Sequence, residues 1–90
     1  AQSYLGAVYR ELGDYIKAKD LLTHALLYYQ QNERKNYKYL AWTSAQLGNV
    51  YRSLGEYVKA KFLLSQSRDL YKKYLPNNIV DLAWVNARLA

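Results

Sequence analysis

Proton transfer and metal binding need side chains that converge, and the groups able to do either are sparse in this sequence. The single imidazole is His24, and there is no cysteine. Asp20 lies four residues before His24, one helical turn away on the same face. That spacing lends a helix a few tenths of a kcal/mol and requires no catalysis. The Leu-Gly steps are not followed by the Lys-Ser/Thr ending with which a phosphate-binding loop closes on its ligand. An enzyme is therefore disfavoured, and no cofactor and no metal are expected. What remains is the chemistry of recognition. Arginine grips carboxylates with two parallel N–H bonds, and an amide side chain both donates to and accepts from a peptide main chain.

The elements that must position such groups are written twice in the sequence. Leu5-Gly6-Ala7-Val8-Tyr9-Arg10-Glu11-Leu12-Gly13-Asp14-Tyr15 returns as Leu47-Gly48-Asn49-Val50-Tyr51-Arg52-Ser53-Leu54-Gly55-Glu56-Tyr57, an offset of 42 residues. Lys17-Ala18-Lys19, Leu21-Leu22 and Leu40-Ala41-Trp42 return at the same offset, and about 20 of the 48 alignable pairs are identical. Internal duplication with a period in the solenoid range follows. The imidazole fails this test, since the counterpart of His24 is Gln66 and a polar helix-surface residue accounts for both.

Each copy reads as two helices. Apolar residues recur at spacings of three and four through Leu40, Trp42, Leu47, Val50, Tyr51 and Leu54, and again from Ile79 to Leu89. Asn36 and Asn78 stand where a side chain can cap the first turn, with Asp81 placed like the acid of a capping box. Leu12-Gly13 and Leu54-Gly55 should end the first helix of each copy, because glycine takes the left-handed conformation without steric cost. Asp14 and Glu56 then open the second helices, their charge set at the positive end of the dipole. These run from about Tyr15 to Gln31 and from Tyr57 to about Leu75, followed by the connector Asn32-Glu33-Arg34-Lys35 and by Pro76-Asn77 respectively. Gly6 and Gly48 fall inside helices at a cost of about 1 kcal/mol each. Close approach of the second helix through its Ala18 or Ala60 face would compensate.

These residues resemble the signature of tetratricopeptide repeats: Leu47, Gly48, Tyr51, Gly55, Tyr57 and Ala60, with Leu5, Gly6, Tyr9, Gly13, Tyr15 and Ala18 in the first copy. The usual period is about 34 residues, and the longer spacing here resembles the class found in kinesin light chains. The family's large fourth residue is replaced by Ser44 and Asn86, while Trp42 and Trp84 stand two places earlier. The resemblance implies an all-α fold, an α-solenoid of antiparallel helix-turn-helix repeats coiled as a right-handed superhelix. The partition is a partial-start repeat over 1–36, a repeat over 37–78 and the start of a third over 79–90.

It also implies a binding wall built by the first helix of each repeat. Wall positions are Trp42, Ala45, Gln46, Asn49 and Arg52 in the second repeat, Tyr4, Ala7 and Arg10 in the first, and Trp84, Ala87 and Arg88 in the third. Trp42, Gln46, Asn49, Arg52, Arg10 and Arg88 are the candidate peptide-binding residues. The expected function is a protein-protein interaction scaffold, taking a peptide or protein segment with acidic residues. The fifth-position asparagine common in the light chains is Ala45 here, leaving Gln46 as the neighbouring amide. Each candidate also has a purely structural role open to it: the arginines as solvated surface charges, and Trp42 and Trp84 as packing between repeats. The eleven tyrosines should be largely core.

Two other classes follow from charge and exposure. A net charge of +6 raises nucleic-acid binding. That reading is disfavoured because Lys17, Lys19, Lys59 and Lys61 lie on the second helices, while Arg34, Lys35, Lys38, Lys72 and Lys73 lie near connectors. The remaining alternative is a self-associating structural array, a homo-oligomer formed through exposed apolar faces of Ile79, Leu82 and Leu89 at the repeat ends. No apolar run reaches the roughly 18 to 20 residues of a membrane span, so no membrane is expected and the cytoplasm is the default location.

Overall fold

Five α-helices follow one another in the computed structural model, which describes residues 2–31, 37–75 and 77–89, with side chains from residue 5 onward. They are α1 (Gln2–Glu11), α2 (Tyr15–Gln31), α3 (Tyr37–Ser53), α4 (Tyr57–Tyr74) and α5 (Ile79–Leu89). Each packs on its neighbour in sequence, and α3 also touches α1 and α5. The first helices of the hairpins thus line up, with α2 and α4 outside them. Among the described residues there is no strand. No described helix is long and apolar enough to cross a membrane.

The turns form as the glycines dictate. Gly13 and Gly55 adopt φ of 82° and 81°, the only positive values among the described residues. In the first turn the Asp14 N–H donates to the Tyr9 carbonyl at 2.9 Å and the Gly13 N–H to that of Arg10 at 3.0 Å; in the second, Glu56 and Gly55 bond Tyr51 and Arg52 likewise. These paired bonds satisfy carbonyls that a helix end leaves open. The two caps that follow differ in reach. Asp14 Oδ1 accepts from the Lys17 N–H at 3.3 Å, whereas Glu56, one methylene longer, makes no side-chain cap and meets the Lys59 ammonium at 3.5 Å. Asn78 directly precedes α5, and its carbonyl accepts from the Leu82 N–H. The Asn36 cap, the 32–35 connector and the Pro76 stop lie outside the described residues.

The buried glycines set the hairpin spacing. A Cβ on Gly6 would stand 2.7 Å from Leu22 Cγ, and one on Gly48 would stand 2.8 Å from Leu64 Cγ and 3.2 Å from the Ala60 carbonyl oxygen. The close approach is real, and the group filling the vacated space is a leucine one turn beyond the alanine. Leu22 and Leu64 are fully buried there, each worth about 1.5–3 kcal/mol. Around Leu22 gather Ala18, Leu26, Leu40, Leu47, Val50 and Leu63; around Leu64 gather Ala41, Ala45, Tyr71 and Val85.

Small polar residues let α3 sink deeply between its neighbours. Ser67 Oγ on α4 donates to the Ala41 carbonyl at 2.6 Å, a helix-to-helix bond that its counterpart Ala25 cannot make. Thr43 is fully buried, and its hydroxyl has no hydrogen-bond partner among the described residues.

The tyrosines correct the expectation of a tyrosine-rich core. Tyr71 is 1% exposed, but Tyr28 and Tyr57 are 61% and 69% exposed. Several instead pair face to face where helix ends meet, Tyr29 on Tyr39 at 5.6 Å and Tyr37 on Tyr74 at 3.8 Å between ring centroids. Stacking hides a ring while leaving its hydroxyl near water. The expected apolar end face is likewise partial: Ile79 is exposed, whereas Leu82 and Leu89 are half-buried against the second core cluster.

Two substitutions test this packing. Gly48→Ala should gain helix propensity yet lose about 1–2 kcal/mol net, because overpacking against Leu64 and the Ala60 backbone outweighs it. Thr43→Val, which installs the residue found at the matching Val85, should gain about 1 kcal/mol by removing an unpaired hydroxyl. Urea melts would read both, and a more stable Gly48→Ala would refute the close-contact account.

Candidate functional site

The candidate wall residues sit on α1, α3 and α5, and the packing of these helices decides which of them a ligand can reach. Gln46 and Asn49 are each 7% exposed, because the residues around them on α3 are small and the flanking helices close in. Ala45 is buried, Trp42 half-buried and Arg52 exposed. Arg10 and Arg88 are half-buried, Ala7 half-buried and Ala87 exposed. The side chain of Tyr4 lies outside the described residues.

Three groupings emerge. In the first, Arg10 Nε donates to Gln46 Oε1 at 2.9 Å, and Arg10 Nη2 meets Glu11 Oε1 at 2.6 Å. Helix α1 thereby clasps α3, and the Gln46 oxygen is already engaged. In the second, Trp42 and Trp84 line a hollow of about 110 Å³ between α3 and α5, together with Gln46, Tyr71, Asp81 and Val85. Trp84 also packs against the second core cluster. Burial, and secondarily the negative charge of Asp81, holds the Tyr71 phenol well above its ordinary value, so it stays neutral.

The third grouping collects cations. Arg52 and Arg88 line one cavity of about 330 Å³ with Lys61, Tyr57, Ala60, Leu64 and Leu89. The Arg88 guanidinium lies over the Trp84 ring, 4.1 Å from its centroid, which holds it flat and limits the rotamers it must give up on binding. Internal symmetry explains the contrast with the first grouping. Arg52 is the repeat counterpart of Arg10, and Arg88 that of Gln46. The same two places hold a guanidinium and its acceptor at one interface, and two guanidiniums at the next.

Lys61 was absent from the wall positions because it belongs to α4, the outer layer. The signal that could have found it is the Gln46-to-Arg88 exchange, which replaces an acceptor by a second guanidinium and directs attention to whatever borders it. Among the described residues no group of three or more His, Cys, Asp or Glu side chains could hold a metal ion.

A family model described as tetratricopeptide repeat matches residues 1–73. No curated protein and no solved structure matches the chain.

Converting the first interface into the second tests the role of the clasp. Gln46→Arg should destabilise the fold by about 1–3 kcal/mol, since it removes a hydrogen bond to a charged group and sets two cations together. Denaturant midpoints measured against the native chain check this, and an unchanged midpoint would mean that the Arg10–Gln46 bond contributes nothing.

Proposed function

The chain belongs to the tetratricopeptide repeat family, whose arrays typically serve as protein-interaction scaffolds rather than catalysts, and from that membership we propose that it binds an acidic peptide or protein segment along its A-helix wall. The anchoring point in this reading is the Arg52, Arg88 and Lys61 cavity. The observation that carries it is the broken symmetry between the two interfaces: Arg10 has Gln46 as its acceptor, whereas Arg52 and Arg88 line one cavity. Two guanidiniums and an ammonium around one cavity repel one another until an anion joins them, and a carboxylate matches the arginine fork. Trp42, Gln46 and Asn49 contribute a largely closed floor, so side chains of the bound segment supply more of the specificity than its main chain does.

The rival reading of a self-stacking array draws support from Leu5 and Val8 on α1 and from Ile79 and Val80 on α5, which are 48%, 51%, 70% and 81% exposed. One titration separates the two. A fluorescein-labelled peptide rich in aspartate and glutamate, and its asparagine and glutamine analogue, are titrated at several protein concentrations. Binding of the acidic form alone is expected, weakening with salt and falling about tenfold or more, roughly 1.4 kcal/mol, in Arg52→Glu and in Arg88→Glu. Retained binding in both variants with native helicity would remove the wall as the site. Concentration-dependent assembly with no peptide affinity would favour self-stacking.

A further inference from the structure

The outer side of the array carries a second surface. Helices α2 and α4 both pack on α3, and two hollows lie along the trough between them. One, of about 430 Å³, is walled by Thr23 and Leu26 from α2 and by Val58 and Phe62 from α4. The other, of about 410 Å³, is walled by Gln30 from α2 and by Gln66, Asp69, Leu70, Lys73 and Tyr74 from α4, and is the more polar of the two. Their floors are Leu47 with Tyr51, and Leu40 with Ser44. Residues 40, 44, 47 and 51 succeed one another at helical spacing of three and four, so the two floors are one continuous stripe of α3. From Val58 to Lys73 the trough runs about 22 Å along α4, roughly the length of a four-turn helix.

Its chemistry is graded. The end near the glycine turns is apolar, with Val58 and Phe62 86% and 62% exposed. Phe62 stands where the first repeat carries Asp20, so the repeat pattern does not require an aromatic residue there. At this same end the ammonium groups of Lys19 from α2 and Lys59 from α4 converge on the Tyr51 ring, 6.0 and 5.4 Å from its centroid. The ion pair from Lys59 to Glu56 is exposed at both ends and readily exchanged. Two cations thus lie at the apolar end of a trough of helical length.

We propose that this trough docks an acidic amphipathic helix of a partner protein, its apolar side chains set against Val58, Phe62 and Leu26 and its carboxylates meeting Lys19 and Lys59. The surface lies on the opposite side of the array from the A-helix wall and is independent of it. A segment so held buries the exposed phenylalanine and valine, and its charge meets the two lysines whose ammonium groups approach the Tyr51 ring.

The test uses a synthetic fifteen-residue helical peptide of leucine and glutamate, with a leucine and lysine analogue and a serine and glutamate analogue as controls. Amide shifts at Thr23, Leu26, Val58 and Phe62 are expected with the leucine and glutamate peptide alone. Phe62→Asp, which copies Asp20 of the first repeat and should leave helicity unchanged, is expected to weaken binding at least tenfold, as is the double variant Lys19→Glu, Lys59→Glu. Arg52→Glu should change it less than twofold, which keeps this outcome separate from that of the A-helix wall. Equal binding of the lysine analogue, binding indifferent to Phe62→Asp, or no binding at millimolar peptide would each overturn the proposal. So would a dimer that Phe62→Asp dissolves in the absence of any peptide affinity, since the occupant would then be a second copy of the chain.

Discussion

Everything in this array is hung on the contact between a glycine in the first helix of each hairpin and a leucine in the second. Where Gly6 meets Leu22 and Gly48 meets Leu64, a single missing methyl group lets the leucine reach the partner backbone. The helices can then share a dry seam, and the cost of glycine in a helix is offset by the area that seam hides. The small residues of α3 extend the same logic. Ala41, Thr43, Ser44 and Ala45 lie beside one another on a helix nearly all of whose residues from 40 to 50 are buried. An α3 so closely enclosed can display few side chains, and the burial of Gln46 and Asn49 follows directly.

Most of the helical plan was legible in the sequence. Turn glycines, a period of three to four and a repeated block located α2 and α5 at their observed bounds, because these signals are local and each acts through its own backbone. What escaped depended on how tightly neighbours cover a face. Repeat position places Tyr28 and Tyr57 on the second helices without saying how little of each ring a neighbour covers. The family resemblance marks Gln46 as a wall position without saying that Arg10 arrives from α1 to occupy it. The difference between Asp14, which caps, and Glu56, which does not, rests on one methylene of reach. The trough between α2 and α4 was hidden for the same reason: it is lined by three helices together, which no single segment encodes.

Within a duplicated scaffold, the informative positions are those where the copies disagree. Ser67 bonds a carbonyl that Ala25 cannot, Thr43 buries a hydroxyl where Val85 buries a methyl, Arg88 replaces the acceptor Gln46, and Phe62 replaces Asp20. The first two adjust packing between adjacent helices. The last two leave surplus charge on one side of the array and surplus apolar area on the other, and neither surplus is demanded by the fold. Identical pairs, by contrast, concentrate in the turns and seams that any copy must have.

Because each helix packs chiefly on its neighbours in sequence, with α3 alone bridging to α1 and α5, closure of one hairpin hardly constrains the next. Loops to be closed are short, so the entropy lost before contacts form is small and any hairpin can start the folding reaction. Cooperativity must then be transmitted across seams between adjacent helices, as in a one-dimensional lattice of coupled units. In such a lattice the outermost units melt at lower free energy than the middle, and α3, coupled to all four other helices, is the last to open its amides to solvent exchange.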